Sequence, residues 1–125
     1  MRLLLDTHVV LWELAGSRTL GPRARHAIEQ ASDLLFSVVS FAEIGVKVAT
    51  GKLAVPADLQ DRVLATGVRT LGLAADHGLA VAELPVHHRD PFDRLLIAQA
   101  RAEKLTIVSA DRRFAAYDVA VIDAG

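Results

Sequence analysis

The chain has 125 residues, of which 52% are hydrophobic and 23% charged, with a net charge of −1 and no cysteine. These values fit one domain over residues 1–125 with a full core; they exclude disulfides, thiolate metal sites and a global basic field that would gather nucleic acid, so any such contact must rest on a local patch. Mean hydropathy is positive, which for so small a domain predicts apolar surface left over for another chain, in a homodimer or a hetero-oligomer.

The longest run without Asp, Glu, Lys or Arg is Leu34 to Ala42, far short of a membrane span, and Asp6 interrupts the only apolar N-terminal run. The expectation is a soluble, cytoplasmic protein. Leu3-Leu4-Leu5 is too short for a helix and does not alternate, which suits a strand buried on both faces of a parallel sheet. It ends in Asp6, and Thr7 is placed to cap a helix from His8 to Ala15 that Gly16-Ser17 breaks. A second helix follows Gly21-Pro22. Leu34 to Val39 reads as the second buried strand, and Ser40-Phe41-Ala42-Glu43 has the capping-box pattern for a helix over 41–49.

Pro56-Ala57-Asp58 opens a helix to Thr66, Thr70 to Leu73 suits a short strand, and Ala75-Asp76 begins a helix that reaches Glu83. The next helix opens on Asp90-Pro91-Phe92-Asp93: Asp90 is a good N-cap, Pro91 suits the first helical position, and Asp93 falls at the third. Leu105 to Val108 is a strand ending at Ser109-Ala110-Asp111, Arg112 to Tyr117 a short helix, and Val119 to Ile122 a last strand. Strand and helix alternate throughout, so the fold class is α/β, a three-layer arrangement with a mainly parallel central sheet flanked by helices.

In open sheets of this kind the reactive crevice lies beyond the carboxyl ends of the strands, where Asp6 and Asp111 arrive from two strands and Glu43 and Asp93 from the starts of two helices. Each acid alone has an ordinary role as a turn residue, N-cap or capping-box partner. Four independent caps have no reason to share one edge. Gathered without a counter-charge they would repel, and a divalent cation removes the difficulty; all-oxygen ligation suits Mg²⁺, with Mn²⁺ chemically close.

At these residues the chain resembles a family. Leu3-Leu4-Leu5-Asp6-Thr7-His8, Ser40-Phe41-Ala42-Glu43-Ile44, His88-Arg89-Asp90-Pro91-Phe92-Asp93-Arg94-Leu95-Leu96-Ile97-Ala98 and Ser109-Ala110-Asp111-Arg112-Arg113-Phe114 look like the four acidic motifs of PIN-domain ribonucleases, in order and over nearly the whole length. They are similar in particular to the VapC toxins of bacterial toxin–antitoxin pairs. The resemblance implies a PIN-like fold and a Mg²⁺-dependent endoribonuclease, silenced by a cognate VapB-type antitoxin that lays a tail across the toxin. It also implies that Asp6, Glu43, Asp93 and Asp111 form the acidic quartet, with Asp6 and Asp93 as direct metal ligands and Glu43 and Asp111 acting through water or at a second site. Asp90 stays outside the quartet as an N-cap.

An acidic pocket repels RNA, so positive side chains must ring it, and Arg89, Arg94, Arg112, Arg113 and Lys47 adjoin the acids. His87 and His88 read as loop residues, because imidazole suits Zn²⁺ better than a carboxylate-rich site. Trp12 and Phe41 read as core or interface residues rather than base-stacking platforms. No Ser-His-Asp or Cys-His set competes as a nucleophile. Two other readings carry distinct signatures. A catalytically silent PIN-like module that binds RNA or protein would lack an acid, and a phosphoryl-accepting receiver-type domain would need paired acids after the first strand and a strand-end lysine.

Overall fold

A computed structural model describes all residues from Met1 to Gly125. Its centre is β1 (Arg2–Leu5), flanked by β2 (Asp33–Ser37) and β4 (Thr106–Ser109), with β3 (Arg69–Leu71) and β5 (Val121–Asp123) at the edges. The order is β3-β2-β1-β4-β5, and every neighbouring pair is parallel. Parallel neighbours need crossovers, and six helices supply most of them: α1 (Thr7–Ala15), α2 (Pro22–Gln30), α3 (Val38–Ala49), α4 (Leu59–Ala65), α5 (Ala75–Ala80) and α6 (Pro91–Glu103).

The apolar run in β1 has a simple cause. Leu3 and Leu5 point to one face, where they join Val9, Val10, Ala24, Phe36, Val63 and Val108, while Leu4 points to the other and joins Leu35, Leu96, Ile97, Ile107 and Phe114. Both faces are covered, so both side-chain sets must be apolar. Truncating Leu4, which is fully buried, would cost about 2–5 kcal/mol through lost transfer energy and the cavity left behind.

Several boundaries differ from expectation, and one matters for function. The second strand stops at Ser37, because the Ser37 hydroxyl accepts from the Val39 N–H at 3.0 Å and starts α3 there. The β-branched Val38 and Val39 are therefore helical, and Glu43 lies in the second turn of α3 rather than at a capping-box position. Similarly, Thr7 is the first residue of α1 rather than its cap, and Asp6 holds the N-cap position. Asp58, not Pro56, immediately precedes α4. The helix expected to reach Glu83 ends at Ala80 and continues as a 3-10 turn, Val81–Glu83; the segment after Asp111 is also 3-10, Arg112–Ala116. The last strand begins two residues late, at Val121. No helix is long and apolar enough to cross a membrane.

Candidate active site

The chain leaves β1 towards β2 and β3, then returns to place β4 on the other side of β1. That reversal opens a crevice at the carboxyl ends of β1 and β4. Asp6 follows β1 directly and is 4% exposed, with its N–H bonded to the Val108 carbonyl at 3.0 Å. Ser109, the last residue of β4, donates from Oγ to Asp6 Oδ2 at 2.8 Å and accepts from the Asp111 N–H at 3.0 Å. One hydroxyl thus ties together both strand-end acids. Although Asp6 stands at the N-cap of α1, its side chain forms no well-aligned cap bond there, and besides Ser109 only the Thr7 N–H acts on its carboxyl as a donor. It faces a hollow of about 260 Å³ lined also by His8, Trp12, Arg18, Ala110 and Asp111.

Glu43 is 2% exposed. Its Oε1 accepts from the Thr7 hydroxyl at 2.7 Å, its Oε2 takes Lys47 Nζ at 2.7 Å, and the hydroxyls of Thr7 and Ser40 lie 2.8 Å apart. Asp93 sits on the first turn of α6, whose N-cap is Asp90: Asp90 Oδ1 accepts from the Phe92 N–H at 2.9 Å and the Asp93 N–H at 3.3 Å. Asp93 does not reach back to complete the box. Its Oδ2 meets His88 Nε2 at 2.5 Å instead, and both residues are buried. Of the four ordinary roles open to these acids, only that of Asp111 is realised, through a bond from the Arg113 N–H to Oδ1 at 2.9 Å. Asp6, Glu43 and Asp93 are charged, buried and unused as caps.

Electrostatics bring the groups into one field, with Asp6 as its hub. Burial raises the Asp6 carboxyl above the ordinary carboxylate range against the lowering bond from Ser109, and the charge of Glu43 adds to the rise. Burial also pushes Asp93 up to about 6, opposed by the hydrogen bond to His88 and reinforced by the charges of Asp90 and Asp6. Hydrogen bonding to Glu43 raises Lys47, and hydrogen bonding to Arg113 lowers Asp111. Carboxyls pushed up by burial among like charges call for a cation. The residues whose ligand atoms lie within 4.8 Å of one another are His88, Asp90 and Asp93, a set of two carboxylates and one imidazole that could hold a divalent ion; of the expected quartet it includes Asp93 alone.

The expected ring of RNA-binding cations is only partly placed that way. Arg89 and Arg112 are exposed. Lys47 is committed to Glu43, and Arg113 forms a two-pronged pair with Asp111, Nε to Oδ1 at 3.0 Å and Nη2 to Oδ2 at 2.7 Å. Arg94 is a correction. It turns inward, and its guanidinium donates to the carbonyls of Val81, Leu84, Pro85 and His88 and to the Tyr117 hydroxyl, all within 3.2 Å. Five acceptors in fixed directions engage both terminal nitrogens of the guanidinium and turn it away from a phosphate.

His88 is a second correction, since it is a buried partner of Asp93 rather than a free loop residue; Tyr117 Oη accepts from its N–H at 2.8 Å and helps hold it there. Sequence reasoning also passed over Thr7, Ser40 and Ser109. The only local signal was a hydroxyl near three of the acids, Thr7 beside Asp6, Ser40 three residues before Glu43 and Ser109 two before Asp111, a pattern indistinguishable from capping.

Comparisons with known proteins fall into line with this geometry. The family model described as PIN domain matches residues 3–120. Ribonuclease VapC22 of Mycobacterium tuberculosis is 34% identical over 113 residues, covering 88% of this chain and 87% of that protein. Among solved structures, VapBC2 from Rickettsia felis, bound to a DNA fragment from their promoter, superposes with a TM-score of 0.73 at 14% identity over the whole of both chains. FitAcB from Neisseria gonorrhoeae follows with a TM-score of 0.70 at 23% identity, covering 98% of this chain and 97% of that one.

Proposed function

The chain belongs to the PIN-domain family, and on that footing we propose that it is a Mg²⁺-dependent endoribonuclease, with Mn²⁺ able to substitute, that serves as the toxin of a toxin–antitoxin pair. The observation that carries this reading is the set of buried carboxylates near the β1–β4 crevice, of which Asp6 and Asp93 are both raised by burial and act on one another by charge. When bound, a divalent cation would offset charge on the scissile phosphate and activate an attacking water. Asp6 and Asp93 would hold it through Oδ1. Glu43, pinned by Thr7 and Lys47, presents a carboxylate of fixed direction that can orient a water and take up its proton. Asp111, fixed by Arg113 and by Ser109, closes the far side of the hollow. Ser109 keeps Asp6 Oδ2 occupied so that only one oxygen faces the substrate.

RNA as substrate is supported by the ribonuclease relative, and a cognate VapB-type antitoxin is supported by neighbours that are toxin–antitoxin complexes. Apolar side chains left on the surface, Leu79 at 76% exposure and Val86 at 68%, are consistent with another chain covering them. The test is incubation of the purified chain with total cellular RNA in Mg²⁺ or EDTA, followed by mapping of cleavage ends, with Asp6→Asn in parallel. Metal-dependent ends that vanish in Asp6→Asn are expected. Equal inertness of both proteins over a range of RNAs would leave a silent PIN-like binding module.

A further inference from the structure

The sole tryptophan of the chain lies at the mouth of the acidic crevice. His8 and Trp12 are one helical turn apart on α1, on the same side, with ring centroids 6.3 Å apart. Gly16 adopts φ 63 at the end of α1, a conformation glycine takes without penalty, and the chain folds back so that the Ser17 N–H bonds to the Trp12 carbonyl. That reversal brings Arg18 over the indole, with its guanidinium carbon 4.3 Å from the ring centroid. His8, Trp12 and Arg18 thus form one wall of the hollow whose other wall contains Asp6 and Asp111.

Trp12 packs against the core cluster yet keeps part of its surface open. A half-open indole, a stacked guanidinium and an imidazole beside metal-binding acids match the chemistry of a nucleotide: the acids face the phosphate, and the flat groups face a base. We propose that Trp12, with Arg18 over its face and His8 beside it, is a stacking subsite for one unpaired base adjacent to the scissile phosphate. The inference rests on the ribonuclease reading above and deepens it. A paired base cannot leave its stack to enter the hollow without a cost that the duplex opposes. Trp12 keeps the expected packing against the core, and its open side takes a further role. Phe41 keeps that packing too, edge-on against Phe36 at 5.1 Å.

Because Trp12 is the only indole, its fluorescence reports on its own surroundings. The full chain, held in EDTA to prevent cleavage, is titrated with a fluorescein-labelled single-stranded oligoribonucleotide and with the same strand in a duplex, reading both label anisotropy and Trp12 emission. Quenching by the single strand and not by the duplex is expected. Trp12→Leu should weaken single-strand binding about 5- to 150-fold and raise KM more than it lowers kcat, whereas Trp12→Phe, which keeps a stacking face, should stay within about threefold. Circular dichroism of both variants checks the fold. Binding by anisotropy without quenching, or Trp12→Leu binding as tightly as the parent, overturns the subsite while leaving the nuclease reading intact. Quenching and selective binding without cleavage in Mg²⁺ would uphold the subsite and overturn the nuclease reading. No binding of the single strand would overturn the subsite, and the cleavage map in Mg²⁺ decides the nuclease reading separately.

Discussion

Asn in place of Asp93 keeps the size of the side chain, preserves an oxygen for His88 and removes a charge that the fold tolerates poorly. Burial pushes Asp93 from the usual 3.8 up to about 6, so the folded chain retains a proton between about pH 4 and pH 6 where the unfolded chain has released it. Stability therefore falls as pH rises through that window, then levels off. A shift of about 2 pH units corresponds to at most about 3 kcal/mol, and shared titration with its neighbours reduces the expected penalty to about 1–3 kcal/mol. Asp93→Asn escapes it. In EDTA at pH 7.5 the variant should melt roughly 4–12 °C higher than the parent, at about 4 °C per kcal/mol for a domain of this size. The gap should narrow as pH falls and close by about pH 3, below both values, where Asp93 is protonated in both states. Asp6 is also raised by burial and its charge acts on Asp93, so the difference reports Asp93 together with the relief that its neutralisation gives Asp6. A gap that is absent, reversed or independent of pH would refute the claim that burial and like charge strain this carboxyl, and would leave Asp93 as a helix-end residue.

Mg²⁺ should stabilise the parent by about 2.7 kcal/mol at a hundredfold excess over its Kd and leave Asp93→Asn nearly unmoved, which thermal melts with and without the ion will read. Thr7→Val removes the hydroxyl that Glu43 and Ser40 share inside the protein; a loss of about 1–3 kcal/mol in urea denaturation is expected, with Thr7→Ser close to the parent, and an unchanged midpoint would mean that water replaces the hydroxyl freely. Arg94→Lys cannot serve five fixed acceptors and should lower the urea midpoint clearly, whereas Arg112→Ala, on an exposed side chain, should change stability by less than about 0.5 kcal/mol and reduce the salt slope of RNA binding by about 1. Equal effects on stability would contradict the inward placement of Arg94.

The local features were legible in the amino acids themselves. Leu3-Leu4-Leu5 needs cover on both faces, Asp90-Pro91 can only begin a helix, and Asp6 and Asp111 follow strand-forming runs. Periodicity and capping act over a few residues, so reading a few residues recovers them. Boundaries slipped where two local rules competed, as at Ser37 and Ser40, which are both able to cap; the hydroxyl that reached a free N–H first along the strand started α3 and carried Glu43 into its second turn. The wiring of the site was invisible at that range. Ser109 meets Asp6 across 103 positions of chain, Thr7 meets Glu43 across 36, and Arg94 finds its carbonyls on a turn that folds back over α6. Those contacts depend on β4 lying beside β1 in one register and on loops closing at particular points. Composition and spacing therefore placed acids after strands and near the starts of helices, and the tertiary structure alone decided which hydroxyl, imidazole or guanidinium each of them meets, because only packing brings distant residues within hydrogen-bond reach.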